Sequence, residues 1–432
     1  MVGIALTYTT LGIDALQVTV ECDSVGSMTH NVNIVGMPSN SVKESKDRVF
    51  AAVRNSGINY HSARYTINLA PADIKKDSSA LDLPIAISIL MHNGMIPAIA
   101  LKKIALVGEL SLDGNVRPVD GVLPIAIAAK RDGVDTLIVP WENAEEAAII
   151  EDIAVIPVTS LSEAMHYLRG ENTIEVARVD REKIFSVLNE FPLDMHDVKG
   201  QYQVKRALEV AAAGGHNLLM IGPPGSGKTM LARRVPTILP ELTLDEALEA
   251  TKIHSVAGFS KDFKNGILTT RAFRAPHHTI SDVALIGGGA FPKPGEVSLS
   301  HRGVLFLDEL PEFKRGVLEV LRQPLEDGIV TISRASTSLT FPAEFMLIAS
   351  MNPCPCGYYG ANIPNHECTC EMGAISRYRN RISGPLLDRI DIHVEVPTVQ
   401  YKDLSALPTG DTSATIRSRV NKARATQHNR FE

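Results

Sequence analysis

The 432-residue chain is poor in aromatic side chains, has one tryptophan and shows no excess of positive charge. Its 43 lysines and arginines are outnumbered by 49 aspartates and glutamates, which gives a net charge of −6. A molecule-wide basic field is therefore excluded, and nucleic-acid binding would need local basic patches. No run approaches the roughly 18 apolar residues of a membrane-spanning helix. The amino terminus also lacks the basic start and apolar core of a signal peptide.

Cysteine is scarce as well, and four of the five cysteines lie within residues 354–370. That distribution does not resemble the disulfide framework of a small secreted protein. The hydrophobic content of 44% and the length are sufficient for two or three globular domains. We therefore expect a soluble cytoplasmic protein.

The most informative segment is a glycine-rich loop, GPPGSGKT, which fits the pattern G-x-x-x-x-G-K-[ST]. It follows an apolar run at 218–221 that is typical of a buried strand. The backbone amides of such a loop surround phosphate oxygens, and its lysine neutralises the terminal phosphates. The residues predicted to bind a nucleoside triphosphate are Gly222, Pro223, Pro224, Gly225, Ser226, Gly227, Lys228 and Thr229.

A second apolar strand, within GVLFLDEL at 303–310, ends in two acidic residues. We expect Asp308 to hold Mg²⁺ together with Thr229, and Glu309 to polarise the attacking water. A further buried strand ends at Asn352, whose amide would position that water. The alternative for Asn352 is a turn residue before Pro353. The pattern predicts binding and hydrolysis of ATP with Mg²⁺.

Helix and strand patterns alternate along most of the chain and predict an α/β class with two domains. The domains are expected at 1–170 and 195–397, with a polar linker at 171–194 and a helix-favouring piece at 398–432. In the first domain we expect helices at 41–57, 79–94, 122–131, 142–150 and 161–168, strands at 136–139 and 154–158, and a hairpin around Asp113-Gly114.

Five segments carry a resemblance to known proteins: GGHNLLMIGPPGSGKT, FRAPHHT (273–279), GVLFLDELPEF, LRQPLEDG (321–328) and SGPLLDRID. Together they resemble AAA+ ATPases of the magnesium-chelatase-like branch, and more closely the YifB/ComM family. The resemblance covers essentially all the chain and implies a homo-hexameric ring. It makes Asn352 the sensor-1 residue and Arg389 an arginine finger that reaches the neighbouring subunit's γ-phosphate. A salt bridge with Asp388 or Asp391 is the alternative for Arg389.

The same resemblance implies two insertions that point into the pore of the ring. One is the helix-2 insertion at 278–300, with Lys293 at its tip, and the other is a pre-sensor-1 β-hairpin at 327–341 that displays Arg334. Cationic loops grip a phosphate backbone, so single-stranded or branched DNA is the expected partner. Ordinary solvated loop side chains are the alternative. Family members continue into a helical lid, and we expect the lid at 398–432 to be truncated.

The first domain resembles the Lon-protease-like domain that the same family carries ahead of its ATPase. Lon proteases use a Ser–Lys dyad, for which Ser79 matches the nucleophile, whereas Leu123 occupies the lysine position. Without an amine to accept its proton, a serine hydroxyl is a poor nucleophile. We therefore predict a catalytically inactive scaffold in which Ser79 is a helix N-cap with Asp82 at N3.

The clustered cysteines, Cys354, Cys356, Cys368 and Cys370, form two C-x-C pairs in one polar loop. Four thiolates in such a loop predict a tetrahedral zinc site, for which His366 is a substitute ligand. Four reduced thiols without metal are the alternative.

The resemblance implies an ATP-driven hexameric DNA motor, a branch-migration helicase that acts in the recombination of incoming DNA. The alternatives are an ATPase subunit of a magnesium-chelatase-type metal-insertion complex and a non-hydrolysing scaffold. The amino-terminal domain and the cysteine loop favour the DNA motor, because chelatase ATPase subunits lack both.

Overall fold

The computed structural model describes residues 2–26, 31–58, 63–76, 78–98, 103–180, 191–260, 263, 266–289, 292–334, 337–361, 363, 366–398 and 410–431. The chain divides into two compact units, each of mixed α/β structure. The amino-terminal unit comprises Met1–Ile184 and Thr251–Leu268, and the carboxy-terminal unit comprises Phe185–Ala250 and Thr269–Glu432. None of the helices among the described residues is long and apolar enough to cross a membrane.

The amino-terminal unit is built on a seven-stranded mixed sheet and a short hairpin. Its strands are β1 Gly3–Leu11, β2 Asp14–Gly26, β3 Asn31–Val35, β4 Ala63–Ala70, β5 Ile104–Leu106, β6 Glu109–Leu110, β7 Val116–Arg117, β8 Thr136–Pro140 and β9 Ala154–Val158. The order in the sheet is β3-β4-β2-β1-β5-β8-β9, and β6 pairs with β7. The pairs β1/β2 and β2/β4 are antiparallel, whereas the other pairs of the large sheet are parallel.

Five α-helices accompany this sheet: α1 Asn40–Asn55, α2 Asp82–His92, α3 Val122–Arg131, α4 Ala144–Ala148 and α5 Leu161–Leu168. Helix α2 is buried from Asp82 to Met91 because nearly all of these side chains are apolar, and it packs on β1 and β2. The predicted helices at 122–131 and 161–168, the strand at 154–158 and the hairpin around Asp113-Gly114 are confirmed.

The predicted capping role of Ser79 is wrong. The Oγ of Ser78 accepts a hydrogen bond from the amide of Ala80 at 3.1 Å, because Ser78 has the extended backbone that a cap requires. Asp82 is fully buried instead, and its carboxylate accepts a hydrogen bond from the Arg48 guanidinium at 2.7 Å. The carboxylate therefore ties α1 to α2 rather than completing a cap.

The carboxy-terminal unit contains a five-stranded parallel sheet and two hairpins. Its strands are β10 Leu218–Ile221, β11 Phe273–Arg274, β12 Gly287–Gly288, β13 Lys293–Pro294, β14 Val304–Leu307, β15 Ile329–Arg334, β16 Thr337–Pro342, β17 Met346–Met351 and β18 Ile392–Glu395. The sheet order is β11-β14-β17-β10-β18, while β12 pairs with β13 and β15 with β16. The carboxyl ends of β10, β14 and β17 therefore lie side by side at one edge.

The remaining helices are α6 Tyr202–Gly214, α7 Lys228–Ala232, α8 Leu244–Ala257, α9 Asp282–Ile286, α10 Glu296–Leu299, α11 Arg315–Glu319, α12 Arg322–Asp327, α13 Met372–Arg379, α14 Gly384–Leu387 and α15 Ser413–Phe431. From Thr251 onward, α8 belongs to the amino-terminal unit. Within that unit, Lys252 pairs with Asp14 at 2.8 Å, and Ser255 donates a hydrogen bond to Glu146. The predicted limits of 1–170 and 195–397 stay predictions.

Candidate nucleotide site

The glycine-rich loop begins where β10 ends, and two of its glycines need a left-handed backbone. Gly225 and Gly227 have φ angles of 73° and 91°, a region that L side chains rarely adopt. Gly222 meets a different constraint, because a Cβ there would lie 2.3 Å from the carbonyl oxygen of Val396. The loop thus curls tightly between β10 and α7, with its backbone amides available to an anion.

Lys228 is held inside this loop by three acceptors. Its Nζ donates to the carbonyls of Gly222 at 2.7 Å and Pro223 at 2.9 Å, and to the Oδ1 of Asn352 at 3.3 Å. Burial lowers the pKa of Lys228, while the charges of Asp308 and Glu309 oppose that shift. The contact also brings Asn352, at the end of β17, to the glycine-rich loop.

Asp308 lies at the end of β14 and receives donors from three directions. Thr229 Oγ1 donates to Asp308 Oδ2 at 2.6 Å, and the Oγ of Ser350 and the amide of Glu309 donate to Oδ1, the latter at 3.0 Å. A hydroxyl and a carboxylate in contact are the hard oxygen ligands that Mg²⁺ prefers. Ser350 was missed in the sequence, although it lies two residues before Asn352 on the neighbouring strand.

Glu309 is exposed and has a left-handed backbone, with φ of 54°. Its Oε2 lies 3.5 Å from Nδ1 of His278. The ring of His278 is packed against the ring of His277, with centroids 4.1 Å apart. The motif FRAPHHT carried the family resemblance, but nothing in it predicted contact with the acidic strand end. This backbone region is uncommon for a residue other than glycine.

The glycine-rich loop and its surroundings have room and donors for a bound triphosphate. Ser226 Oγ is buried, and no hydrogen-bond partner for it is found among the residues that the structure describes. Next to the loop lies a cavity of about 640 Å³, whose walls include Pro224, Gly225 and Gly227. The size falls within the range of small-molecule sites. The loop, the lysine and the Thr229–Asp308 pair therefore fit ATP with Mg²⁺.

Arg389 follows α14 and is engaged within its own chain. Its guanidinium pairs with Glu326 of α12 and donates to the carbonyl of Pro385, rather than pairing with Asp388 or Asp391. Its Nε is buried, without a hydrogen-bond partner in the described part of the chain. Asn217 Nδ2 donates to the Arg389 carbonyl at 2.9 Å. Among the described contacts, none joins Arg389 to the glycine-rich loop of its own chain.

The four clustered cysteines come together in space. Their sulfur atoms all lie within 4.8 Å of one another, with Cys354 and Cys356 3.3 Å apart. The backbone amide of Tyr358, helped by the three neighbouring thiols, lowers the pKa of Cys356 to about 6. This donor set fits a thiolate-bound metal such as zinc. His366 does not join the group and stacks on Tyr358 instead, with ring centroids 4.9 Å apart.

The two predicted DNA-contacting residues belong to the two hairpins. Lys293 is exposed and begins β13, where it is paired with Gly288. Arg334 ends β15 and is paired with Thr337 across the hairpin. The predicted pre-sensor-1 hairpin is thereby confirmed as a structural element.

In the amino-terminal unit, the position expected for the dyad lysine is held by Leu123. Leu123 is fully buried in α3, and its amide donates to Glu146 Oε1 at 3.0 Å. Lys76 is buried and burial lowers its pKa, but its Nζ donates to the carbonyl of Pro71.

The sequence is similar to known families and proteins. Residues 194–404 match the family model described as "Magnesium chelatase, subunit ChlI", and residues 20–143 match "Subunit ChlI of Mg-chelatase". Competence protein ComM of Haemophilus influenzae is 43% identical over 432 residues, which cover 99% of this chain and 83% of that protein. The uncharacterized protein YifB of Escherichia coli is also 43% identical, with 99% and 82% covered. Lon protease 2 of Bacillus subtilis is 30% identical over 147 residues, 34% of this chain and 25% of that protein.

The fold and the site together define a magnesium-chelatase-like protein of the AAA+ class with a Lon-like amino-terminal region. More narrowly, the chain belongs to the ComM/YifB family, which confirms the resemblance drawn from the sequence.

Proposed function

We propose that the protein is an ATP-driven hexameric DNA motor, a branch-migration helicase that acts in the recombination of incoming DNA. The ATPase part of the proposal depends on one observation. At the same edge of the parallel sheet, Thr229 is hydrogen-bonded to Asp308 and Lys228 to Asn352. Phosphoryl transfer needs positioning and charge stabilisation more than covalent chemistry, and this cluster provides the residues for both.

In this proposal, the glycine-rich loop and Lys228 bind the phosphates, and Thr229 and Asp308 hold Mg²⁺. The metal, when bound, supplies Lewis-acid neutralisation of phosphate charge. Glu309 orients and polarises the attacking water, and Asn352 helps to position it. Arg389 acts on the neighbouring subunit's nucleotide, which accords with its lack of a described contact with its own glycine-rich loop.

The DNA part is supported by the hairpins that carry Lys293 and Arg334, by family membership and by the name of the competence relative. The proposed partner is single-stranded or branched DNA, gripped through its phosphates. Work on DNA and four cysteines that form no disulfide bond both favour the cytoplasm as the place of action.

A second candidate is the ATPase subunit of a magnesium-chelatase-type complex, favoured by the names of the two matching family models. The 43% identity to competence protein ComM over 99% of this chain favours the DNA motor instead. We propose that the Lon-like region is a catalytically inactive scaffold, since a buried Leu123 occupies the lysine position.

Two substitutions test the ATPase assignment. Lys228→Ala should weaken ATP binding by more than about tenfold, because the charge that meets the phosphates is lost. Glu309→Gln should preserve binding and lower turnover by about 10²- to 10⁴-fold, because only water activation is lost. Equal ATP affinity in the wild type and Lys228→Ala, measured by calorimetry on folded protein, would contradict the assignment.

A further inference from the structure

The cysteine loop and the glycine-rich loop are in direct contact. Gly357, in the turn after Cys356, lies so close to Pro224 that a Cβ there would meet Pro224 Cδ at 2.7 Å. The Gly357 amide donates to the carbonyl of Cys354 at 3.0 Å, which closes the turn. With φ of 90°, this position needs glycine for its backbone as well as for its lack of a side chain. The cysteine turn therefore packs directly against the phosphate loop.

The same cysteine loop forms one wall of the cavity beside the phosphate loop. Tyr358, Ile363 and His366 line this cavity together with Pro224, Gly225 and Val198. The first three residues lie between the two C-x-C pairs. Loop glycines suited to phosphates thus line one part of the cavity, and the two rings line another, together with apolar side chains and polar ones such as Asp197 and Gln201.

The rings of Tyr358 and His366 on that wall are stacked face to face and nearly parallel. The planes of Tyr358 and His366 are 17° apart, and their centroids are 4.9 Å apart. Aromatic faces bind nucleobases by stacking, which is tolerant of hydrogen-bonding pattern and contributes to affinity for the base alone. If the phosphates of a nucleotide bind at Gly225 and its neighbours, the two rings lie next to the bound nucleotide in the same cavity.

We infer that Tyr358 and His366 form the nucleobase wall of the nucleotide site, and that a metal bound by the four cysteines keeps the wall in place. The metal would therefore set the affinity for the nucleoside part of ATP. The inference rests on the proposed function, because the phosphate loop must hold the triphosphate. The reason is geometric: Tyr358 is two residues after Cys356, and His366 is two residues before Cys368. Closing the thiol cluster fixes both ends of the segment that carries the rings.

Binding of ATP and of inorganic tripolyphosphate, measured by calorimetry, separates the base from the phosphates. Tyr358→Ala should weaken ATP binding by roughly tenfold and leave tripolyphosphate binding unchanged. Tyr358→Phe keeps the ring and should behave as the wild type. Tyr359→Ala is the matched control, because this ring lines a different cavity and contacts Arg379. Equal losses for both ligands in Tyr358→Ala, or no loss for either, would overturn the inference.

Metal dependence is tested on the same two ligands. Zinc-loaded protein should bind ATP roughly tenfold more tightly than protein stripped by a chelator, and Cys370→Ser should match the stripped protein, with tripolyphosphate binding unchanged throughout. Cys370 is less buried than Cys354, and circular dichroism checks that the variant folds. Unchanged ATP affinity without metal would overturn the metal's role. Unchanged ATP and tripolyphosphate affinity in Lys228→Ala would instead overturn the underlying ATPase proposal.

Discussion

At the scale of single residues, Asp308 shows how the site is held ready. Its two carboxylate oxygens accept three hydrogen bonds, from Thr229, Ser350 and the amide of Glu309. A carboxylate supported in this way keeps one orientation, as metal ligands need from their surroundings. Glu309, one residue further, is exposed and meets only the imidazole of His278 among its described ion-pair partners. The adjacent acids thus have different environments, in keeping with their different proposed roles.

The amino-terminal unit gives a prediction at the same scale. Neither the wild type nor Ser79→Ala should cleave casein, and ATP turnover should be the same in both proteins. The reason is that Leu123 is buried where a lysine would be needed, while the amine of Lys76 is directed to the Pro71 carbonyl. A casein-degradation assay beside an ATPase assay measures both quantities. Casein cleavage that disappears in Ser79→Ala would refute the scaffold assignment.

The predictability of individual residues differs for a physical reason. The contact of Thr229 with Asp308 could be predicted, because both follow strands whose carboxyl ends meet at one edge of the sheet. The contacts of Ser350 and His278 could not, because they depend on how neighbouring side chains are oriented after folding. The cap at Ser78 rather than Ser79 was decided by which of two adjacent serines has the extended backbone.

At the scale of elements, β17 connects the two chemical features of the carboxy-terminal unit. It is buried along its whole length, and Asn352 and Cys354 follow directly after its end at Met351. Cys354 is buried, and its sulfur also accepts the amide of Tyr359 at 3.3 Å. A metal bound to this loop would stiffen the segment immediately after the sensor position.

The loop should accordingly bind one zinc per chain, with zinc–sulfur bonds of about 2.3 Å. Cys354→Ser should reduce zinc content and lower the melting temperature, by about 2–4 °C for each kcal/mol by which the folded state is destabilised. Elemental analysis and X-ray absorption on protein purified without chelator measure the zinc content and the bond lengths, and thermal unfolding gives the melting temperature. Cys22→Ala is the control, because Cys22 lies in β2, outside the cluster. Well under one zinc per chain in the wild type would defeat the proposal.

The predictability of elements also has a limit set by tertiary structure. The buried strands of the parallel sheet and helices such as α3 were predictable, because their apolar patterns are long and are bounded by glycine or charge. The division of α8 at Thr251 was not, because it depends on packing partners distant in sequence. Ser255 and Lys252 contact Glu146 and Asp14, and no local pattern indicates those contacts.

At the scale of the whole molecule, the proposed mechanism requires a ring, because it places Arg389 at a neighbouring subunit's nucleotide. Within one chain its guanidinium is paired with Glu326. An arginine in this position could either stabilise α12 or act across a subunit boundary. An arginine that acts in trans stabilises the charge that develops on the phosphoryl group transferred in the neighbouring subunit. It does not contribute to nucleotide binding in its own chain.

Mixing experiments distinguish these roles. Arg389→Ala should lower ATP turnover by on the order of 10³-fold with little change in ATP affinity. Mixing Arg389→Ala with Lys228→Ala subunits should restore part of the activity, because a mixed boundary can contain one complete site. Glu326→Gln is the control for the intrachain pair and should retain turnover. Two results together would instead indicate a structural role for Arg389. These are no recovery of activity in verified mixed rings and equal thermal destabilisation by Glu326→Gln and Arg389→Ala.

The central claim is that ATP hydrolysis at this site is coupled to DNA, and ATP turnover with and without branched DNA tests it most directly. We expect branched or single-stranded DNA to raise ATP turnover and added salt to diminish the effect. Lys293→Ala and Arg334→Ala should weaken DNA binding and lower its salt slope by about 1 for each phosphate that the variant no longer neutralises. Lys228→Ala should show no turnover with or without DNA. Turnover that depends on Lys228 but is unchanged by DNA at low salt would contradict the account.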